Sequence, residues 1–394
     1  MENIVIVSAA RTAIGDFGGA LRDVAPTELG IVTAKAALAR AGITGAEVDQ
    51  VFYGNVIHGE HRDMYVSRTI AIGAGVGVNA PALTVNRLCG SGLQAIVSGI
   101  QAIAMQDADI VLAGGAESMS RAGYLTPSLR WGQKMGDTAA IDMMTSVLTD
   151  PFGHGHMGVT AENVAAKFNV PRQDQDAFAV ESHRRAAHAI AAGYFKDEIE
   201  PVVIQTRRGD VIFDTDEHVR AEASVEDMAK LLAAFQKDGT VTAGNASGLN
   251  DGAASVLLMS ERAAIDRGLT PLARIKSYGV AGVEPALMGM GPVPAMQRAL
   301  DRAGITIADL DIIESNEAFA AQACAVAGQL GLDPARVNPN GGAIALGHPI
   351  GASGAIITTK LVYEMRRRGA KLGAATMCIG GGQGIALILE NVSE

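Results

Sequence analysis

The sequence predicts an α/β protein built from two duplicated βα halves with a long insertion between them. Three observations carry this. Short apolar runs alternate with helical patterns, one stretch recurs at a fixed offset, and the middle of the chain matches neither copy. In the first half, residues 4–7 read as a buried strand. Pro26-Thr27 then starts a helix with Leu29, Val32, Ala36 and Leu38 on its apolar face, and Gly42 ends it. Residues 51–53 and 83–85 read as further strands, 89–105 as a helix, and 109–113 as a strand stopping at Gly114-Gly115. Such alternation builds a parallel or mixed sheet with covering helices.

The repeat is the sharper signal. Ala37-Leu38-Ala39-Arg40-Ala41-Gly42-Ile43-Thr44 recurs as Ala299-Leu300-Asp301-Arg302-Ala303-Gly304-Ile305-Thr306, at an offset of 262 (304 minus 42), and the match continues through Ala46/Ala308 and Asp49/Asp311. Val85-Asn86 and Val337-Asn338 each precede a glycine-rich turn and a small-residue helix (90–105 and 351–368). Each helix leads to a strand ending in glycines, Gly114-Gly115 and Gly380-Gly381-Gly382. Two copies make a duplicated architecture, not a solenoid. Residues 119–247 have no counterpart; they hold Trp131, the turn Phe152-Gly153-His154-Gly155-His156 and a charged helix over 174–192, and read as a functional insertion. The expected division is 1–118 with 248–271 for the first half, 119–247 for the insertion and 272–394 for the second half.

Composition narrows the function. With 48% hydrophobic and 19% charged residues the chain buries a large core and is not disordered. Thirty-two Lys and Arg stand against 42 Asp and Glu, net −10 with no basic cluster, which argues against nucleic acid and against a polybasic membrane patch. Cys89, Cys324 and Cys378 are too few for a disulfide framework, and no C-x-x-C offers a zinc or redox motif, so the expected compartment is reducing. Met1-Glu2-Asn3 gives no charged leader, no apolar run reaches the ~18 residues of a membrane helix, and the end at Ser393-Glu394 matches no common sorting signal. The expected location is cytoplasmic.

Among nucleophiles, Cys89 lies in Asn86-Arg87-Leu88-Cys89-Gly90-Ser91-Gly92 at a strand-to-helix turn, where the helix macrodipole favours the thiolate and lowers its pKa. A small buried residue under a tight turn fits that context equally well. Cys378 precedes Gly380-Gly381-Gly382 at a strand end, near the position of Ala113 in the repeat, where α/β sheets collect ligands; core packing is the competing reading. Cys324 lies mid-helix among alanines and reads as core. His348, in Gly347-His348-Pro349, is held in a loop by the following proline and suits proton transfer. His183 and His188 read as solvated, and His58, His61 and His218 have no partner pattern. No His or carboxylate spacing suggests a metal. Asn316-Glu317-Ala318-Phe319 opens a helix, with Asn316 either an N-cap or an oxyanion donor. The glycine loop 244–252 either cradles a polar cofactor tail or is a turn. Neither G-x-x-x-x-G-K nor a correctly placed G-x-G-x-x-G occurs, which argues against nucleotide triphosphates and dinucleotides.

In this order and together, segments 86–92, 244–252, 316–319, 347–349 and 378–382 resemble the thiolase family from end to end, and most nearly its bacterial biosynthetic acetyl-CoA acetyltransferases. The resemblance implies a five-layered α-β-α-β-α sandwich of βαβαβαββ halves. It implies Claisen condensation of two acyl-CoA molecules, and the reverse thiolysis, through an acyl-Cys89 intermediate. Cys89 is then the nucleophile, His348 its base, and Cys378 the base for the α-proton. His348 with a water on Asn316 forms one oxyanion hole, and the N–H groups of Cys89 and Gly380 form another. The insertion resembles the family's CoA-binding loop domain. Arg220 would meet the nucleotide, and Ser247 the pantetheine arm. Leu148, His156, Met157, Met288, Ala318 and Phe319 would line the acyl end. CoA thioesters are substrates, and no cofactor or metal is implied.

Two departures from the family pattern matter. Asp227 stands where a hydroxyl residue is common, and the glycine-rich turn 152–155 suggests a roomier acyl pocket. Residues 119–137, with Tyr124 and Trp131, resemble a tetramerisation loop, so a homotetramer built as a dimer of dimers is expected. A degradative 3-ketoacyl-CoA thiolase would use the same residues. A ketoacyl synthase would replace Cys378 with His. A non-catalytic acyl-CoA or lipid carrier would be expected to have lost one reactive group.

Overall fold

A computed structural model describes residues 3–392. The expectations for the two termini rest on Met1, Glu2, Ser393 and Glu394, which lie outside the described residues. The first strand, β1 (Ile4–Arg11), is followed by helix α1 (Pro26–Ala41). The helix starts at the predicted proline and ends at Gly42, whose φ of 65° lets its N–H return to the last carbonyls of the helix. Next come β2 (Gln50–Gly54), β3 (Ala82–Val85), α2 (Ser91–Ala104) and β4 (Ile110–Ser118). The insertion contributes α3 (Met157–Phe168), α4 (Arg172–Ala192) and a hairpin of Val202–Thr206 on Gly209–Phe213. Then follow β5 (Asn250–Ser260), β6 (Ala273–Gly282), α5 (Pro292–Ala303), β7 (Ile312–Ser315), α6 (Ala320–Leu330), α7 (Ser353–Arg368), β8 (Leu372–Ile379) and β9 (Gln383–Glu390).

The strands pair in the order β7-β8-β9-β6-β1-β5-β4-β2-β3. Each half has parallel strands at its outer edge and antiparallel strands inward, and the strands of the two halves pair where Val5 faces Arg274 and Ile6 faces Ala273. Helices α2 and α7 pack on one another with strands of both halves around them, while α1 and α5 cover the outer faces, giving the five layers. The thiolase fold is thus as expected.

The duplication survives in register. Gln50 faces Val111 and Ile312 faces Gly373, and both members of the second pair are 262 further along (312 minus 50; 373 minus 111). The two halves differ at one edge. Val51 pairs with Ala82 in a four-residue ladder, whereas Ile313 meets Val337 in a single bridge, so Val337 corresponds to Ala82 and not to Val85 as the sequence match suggested.

Three boundaries differ from expectation. β4 runs through Gly114-Gly115 to Ser118. Those glycines are not a stop: a Cβ on Gly115 would lie 2.3 Å from the Gly351 carbonyl, so glycine there lets the second half close onto the first. Helix α2 starts at Ser91, leaving Cys89 in the turn before it. Helix α6 starts at Ala320, so Asn316 is not its N-cap. The Phe319 end of that loop is pinned by long-range pairing with Ala246 and by the Ala320 N–H on the Asn245 carbonyl (2.8 Å), contacts that no local pattern announces.

The insertion is tied to the first strand by charge. Arg11 is fully buried and bonds Glu198 and Asp216, each at 2.7 Å. Burial opposes the guanidinium charge, but the two carboxylates outweigh it and hold the pKa above its usual value. At its other end the insertion is exposed: Tyr124-Leu125 pairs with Ile141-Asp142, and Trp131 and Met135 are each 91% accessible. Among the described residues no helix is long and apolar enough to cross a membrane.

Candidate active site

One cavity of about 370 Å³ gathers residues from both halves and from the insertion. Cys89 enters from the turn before α2, His348 from the loop before α7, and Cys378 with Gly380 from the end of β8. Leu148, His156, Met157, Ser247, Met288, Ala318 and Phe319 also line it, so every expected site residue except Asn316 and Arg220 meets in one space.

The turn at Cys89 is tight. Leu88 takes φ 46°, a left-handed conformation disfavoured for a non-glycine residue, and Ser91 Oγ accepts the Arg87 N–H at 2.8 Å. The N–H groups of Gly380 and of Cys89 itself reach the Cys89 sulfur and draw its pKa down. Burial dominates, however, and pushes the thiol up to about 11, with the charge of Glu117 adding to the rise. The macrodipole expectation is therefore reversed: Cys89 rests as a neutral thiol. Glu117 sits among the N–H groups of Val56, Ile57 and Gly351 (3.0, 3.2 and 3.0 Å), and burial raises it to about 8. Cys378 is also raised by burial, and further by a charge on Cys89.

His348 is buried, which lowers its pKa to about 4 and keeps the imidazole neutral. Its Nδ1 lies 2.6 Å from Ser353 Oγ, its Nε2 3.5 Å from Asn316 Nδ2, and its backbone N–H donates to Asn250 Oδ1 at 2.8 Å. Gly347 takes φ 110°, and a Cβ there would lie 2.5 Å from the Asn250 amide carbon, so glycine is required for the loop to reach that bond. Asn316 thus sits behind His348, buried, with its amide turned to the ring.

Arg220 lines a second cavity of about 530 Å³ with His183, His218, Ser224 and Asp227, and this space shares Ala243 and Ala246 with the first. Asp227 bonds Ser224 Oγ and Lys230 Nζ, each at 2.7 Å. Two histidines differ from expectation. His183 is buried, accepts the Arg220 N–H at 3.2 Å, and is lowered to about 4 by burial and by the charges of His218 and Arg220. His218 Nδ1 meets Asp16 Oδ1 at 2.5 Å. His188 is exposed as read. The turn 152–155 does not line the main cavity; Phe152 lies beside Gly381 instead. Cys324 is half-buried on a separate cavity of about 300 Å³, its thiol pushed up to about 12 by burial.

Three residues escaped the sequence reading. Phe235 stacks on the His156 ring (centroids 4.8 Å apart, planes at 12°), and no motif in the sequence around it signalled that. Asn250 and Ser353 hold His348. Ser353 was legible, because it matches Ser91 at the repeat offset.

Paired thiols, a neutral imidazole and backbone donors around one apolar cavity equip the site for acyl transfer through a covalent thioester. Residues 4–262 match the thiolase N-terminal domain and residues 269–391 the thiolase C-terminal domain, and the chain belongs to the thiolase family. It is 61% identical over 392 residues to the beta-ketothiolase BktB of Cupriavidus necator, covering 99% of this chain and 100% of that one. It is 53% identical over 392 residues to an acetyl-CoA acetyltransferase of Rhizobium meliloti, covering 99% of each. The human mitochondrial 3-ketoacyl-CoA thiolase solved in complex with CoA superposes with a TM-score of 0.96 at 46% identity, over 99% of this chain and 98% of that one.

Proposed function

We propose that Cys89, His348, Cys378 and Asn316 carry the chemistry of this β-ketothiolase, an acetyl-CoA acetyltransferase that condenses two acyl-CoA molecules to a 3-ketoacyl-CoA and CoA and runs the reverse thiolysis. The observation that carries the assignment is that two thiols far apart in sequence and one neutral imidazole share a cavity. Cys89 Sγ attacks the thioester carbonyl while His348 takes its proton. The N–H groups of Cys89 and Gly380 hold the oxyanion, the bond to CoA breaks, and the proton passes from His348 to the departing sulfur. Cys378 gives its proton to His348, and its thiolate takes the α-proton of the second acyl-CoA. The enolate oxygen is held by the imidazolium beside Asn316, the carbanion displaces Cys89 from the acyl group, and the Cys89 thiolate recovers the proton from His348.

The same reading gives the rest of the molecule its parts. The cavity at Arg220 takes the nucleotide end of CoA, Ser247 and Ala318 border the pantetheine arm, and Leu148, His156, Met157, Met288 and Phe319 hold the acyl end. Residues 1–118 with 248–271, 119–247 and 272–394 act as first half, CoA-binding insertion and second half. The exposed Tyr124, Leu129, Trp131 and Met135 are covered by other copies in a homotetramer that works in the cytoplasm, and sedimentation of Trp131→Ser as a smaller species is the expected outcome. The turn 152–155 does not support a roomier acyl pocket, but the apolar cavity of about 370 Å³ supports acyl groups longer than acetyl; a collapse of kcat/KM from acetoacetyl-CoA to 3-ketohexanoyl-CoA would overturn that. For the core assignment, wild type, Cys89→Ser and Cys378→Ser are treated with acetyl-CoA and weighed. An acetyl adduct is expected on wild type and Cys378→Ser, with almost none on Cys89→Ser, and an equal adduct on Cys89→Ser overturns it.

A further inference from the structure

The turns that precede the two central helices are equivalent in the duplicated fold, and they differ at one telling position. α2 begins at Ser91 and α7 at Ser353, again 262 apart (353 minus 91). In the first turn, Ser91 Oγ donates to the Leu88 carbonyl at 2.6 Å and accepts the Arg87 N–H at 2.8 Å. In the second, Ser353 Oγ also donates to a backbone carbonyl, that of Pro349, at 2.9 Å. The residue that corresponds to Arg87 is Pro349 (349 minus 262), and a proline has no N–H to offer. Ser353 therefore keeps an acceptor lone pair that Ser91 has spent, and His348 Nδ1 occupies it at 2.6 Å.

The direction of that bond follows from where the hydroxyl hydrogen goes. A serine hydroxyl has one hydrogen; placed on the Pro349 carbonyl at 2.9 Å, as Ser91 places its own on the Leu88 carbonyl, it leaves the hydrogen shared with His348 to come from the ring. The other edge of the imidazole agrees: the Asn316 group facing Nε2 is its NH2, which only donates. Both neighbours select the tautomer with hydrogen on Nδ1 and a lone pair on Nε2. Because the buried ring is neutral, the site of its single proton decides whether it can act as a base at all.

We propose that Ser353 is a positioning residue for the acyl transfer, freed for that task by Pro349, and that it fixes the His348 tautomer whose Nε2 is open to the Cys89 proton. This rests on the reading of His348 as the base for Cys89. Asn250, holding the His348 N–H at 2.8 Å, fixes the loop but touches neither ring nitrogen, so the tautomer depends on Ser353 and Asn316.

Neutron diffraction from deuterium-exchanged crystals of the wild type reads the tautomer directly. Deuterium on Nδ1 toward Ser353, with Nε2 bare, is expected; deuterium on Nε2 overturns the proposal. Ser353→Ala is expected to slow acetylation of Cys89 by acetyl-CoA about 10–100-fold, the range seen when an orienting partner is removed from a metal-bound imidazole, with KM within about twofold of wild type. A Ser353→Ala protein that keeps its melting temperature and acetylates at the wild-type rate overturns it as well. Should that variant not fold, the neutron map still decides. Failure of the underlying reading has a different signature, a His348→Asn protein that acetylates normally, and it leaves the tautomer map unchanged.

Discussion

The two halves hold the same turn in the same register, yet each carries a different reagent. Before α2 the chain reads Asn86-Arg87-Leu88-Cys89; before α7 the corresponding residues are His348-Pro349-Ile350-Gly351. The nucleophile of one copy matches a glycine in the other, and the base matches an asparagine. The Gly351 carbonyl also lies against Gly115 of β4, where a side chain would push the second turn off the first half. The comparison teaches that duplication supplied two equivalent loops close enough to touch, and that the site exists because the loops diverged.

Making the loops alike again should do the most damage. His348→Asn gives the second turn the residue of the first and is expected to slow Cys89 acetylation by about 10⁴-fold, the upper end for loss of a general base, as followed by mass spectrometry. Asn316→Ala removes the amide beside Nε2 and is expected to cost about 10²–10³-fold in kcat for condensation. Stability sharpens the contrast in a third way. The folded pKa of His348 is lowered to about 4, below the ordinary 6.5, so the unfolded chain binds the proton first. Its contribution is full above pH 6.5 and is lost as pH falls toward 4. Wild type should lose about 3 kcal/mol relative to His348→Asn across that window in denaturant titrations. Least of all, Pro349→Ala restores an N–H that competes for Ser353. It is expected to lower the acetylation rate about tenfold, the worth of one hydrogen bond.

The elements that local chemistry determines were legible in the sequence. Pro26 and Gly42 bracket α1 because a proline start and a left-handed glycine end are properties of those residues alone. Cys89, His348 and Cys378 stood out as reagents in glycine-rich turns, and the repeat placed them in matching halves. What failed was whatever depends on a distant neighbour. Gly114-Gly115 read as a stop because the carbonyls they accommodate belong to Ala254 and Gly351, both far along the chain. Asn316 read as a cap because its loop is held by residues 245–247. His183 read as solvated because the groups that bury it, His218 and Arg220 among them, are more than thirty residues away. The Cys89 pKa went the wrong way because a macrodipole is visible in sequence and desolvation is not.

The Arg11 anchor has a consequence for synthesis. Its counter-ions arrive only with Glu198 and Asp216, and the strand that joins β1 to β4 begins later still, at Asn250. A ribosome must therefore emit half the polypeptide before the opening strand meets its neutralising charges, and more before it meets its flanking partner. The nascent amino-terminal portion cannot mature on its own, and trimming the intervening segment would strand a cation in the interior.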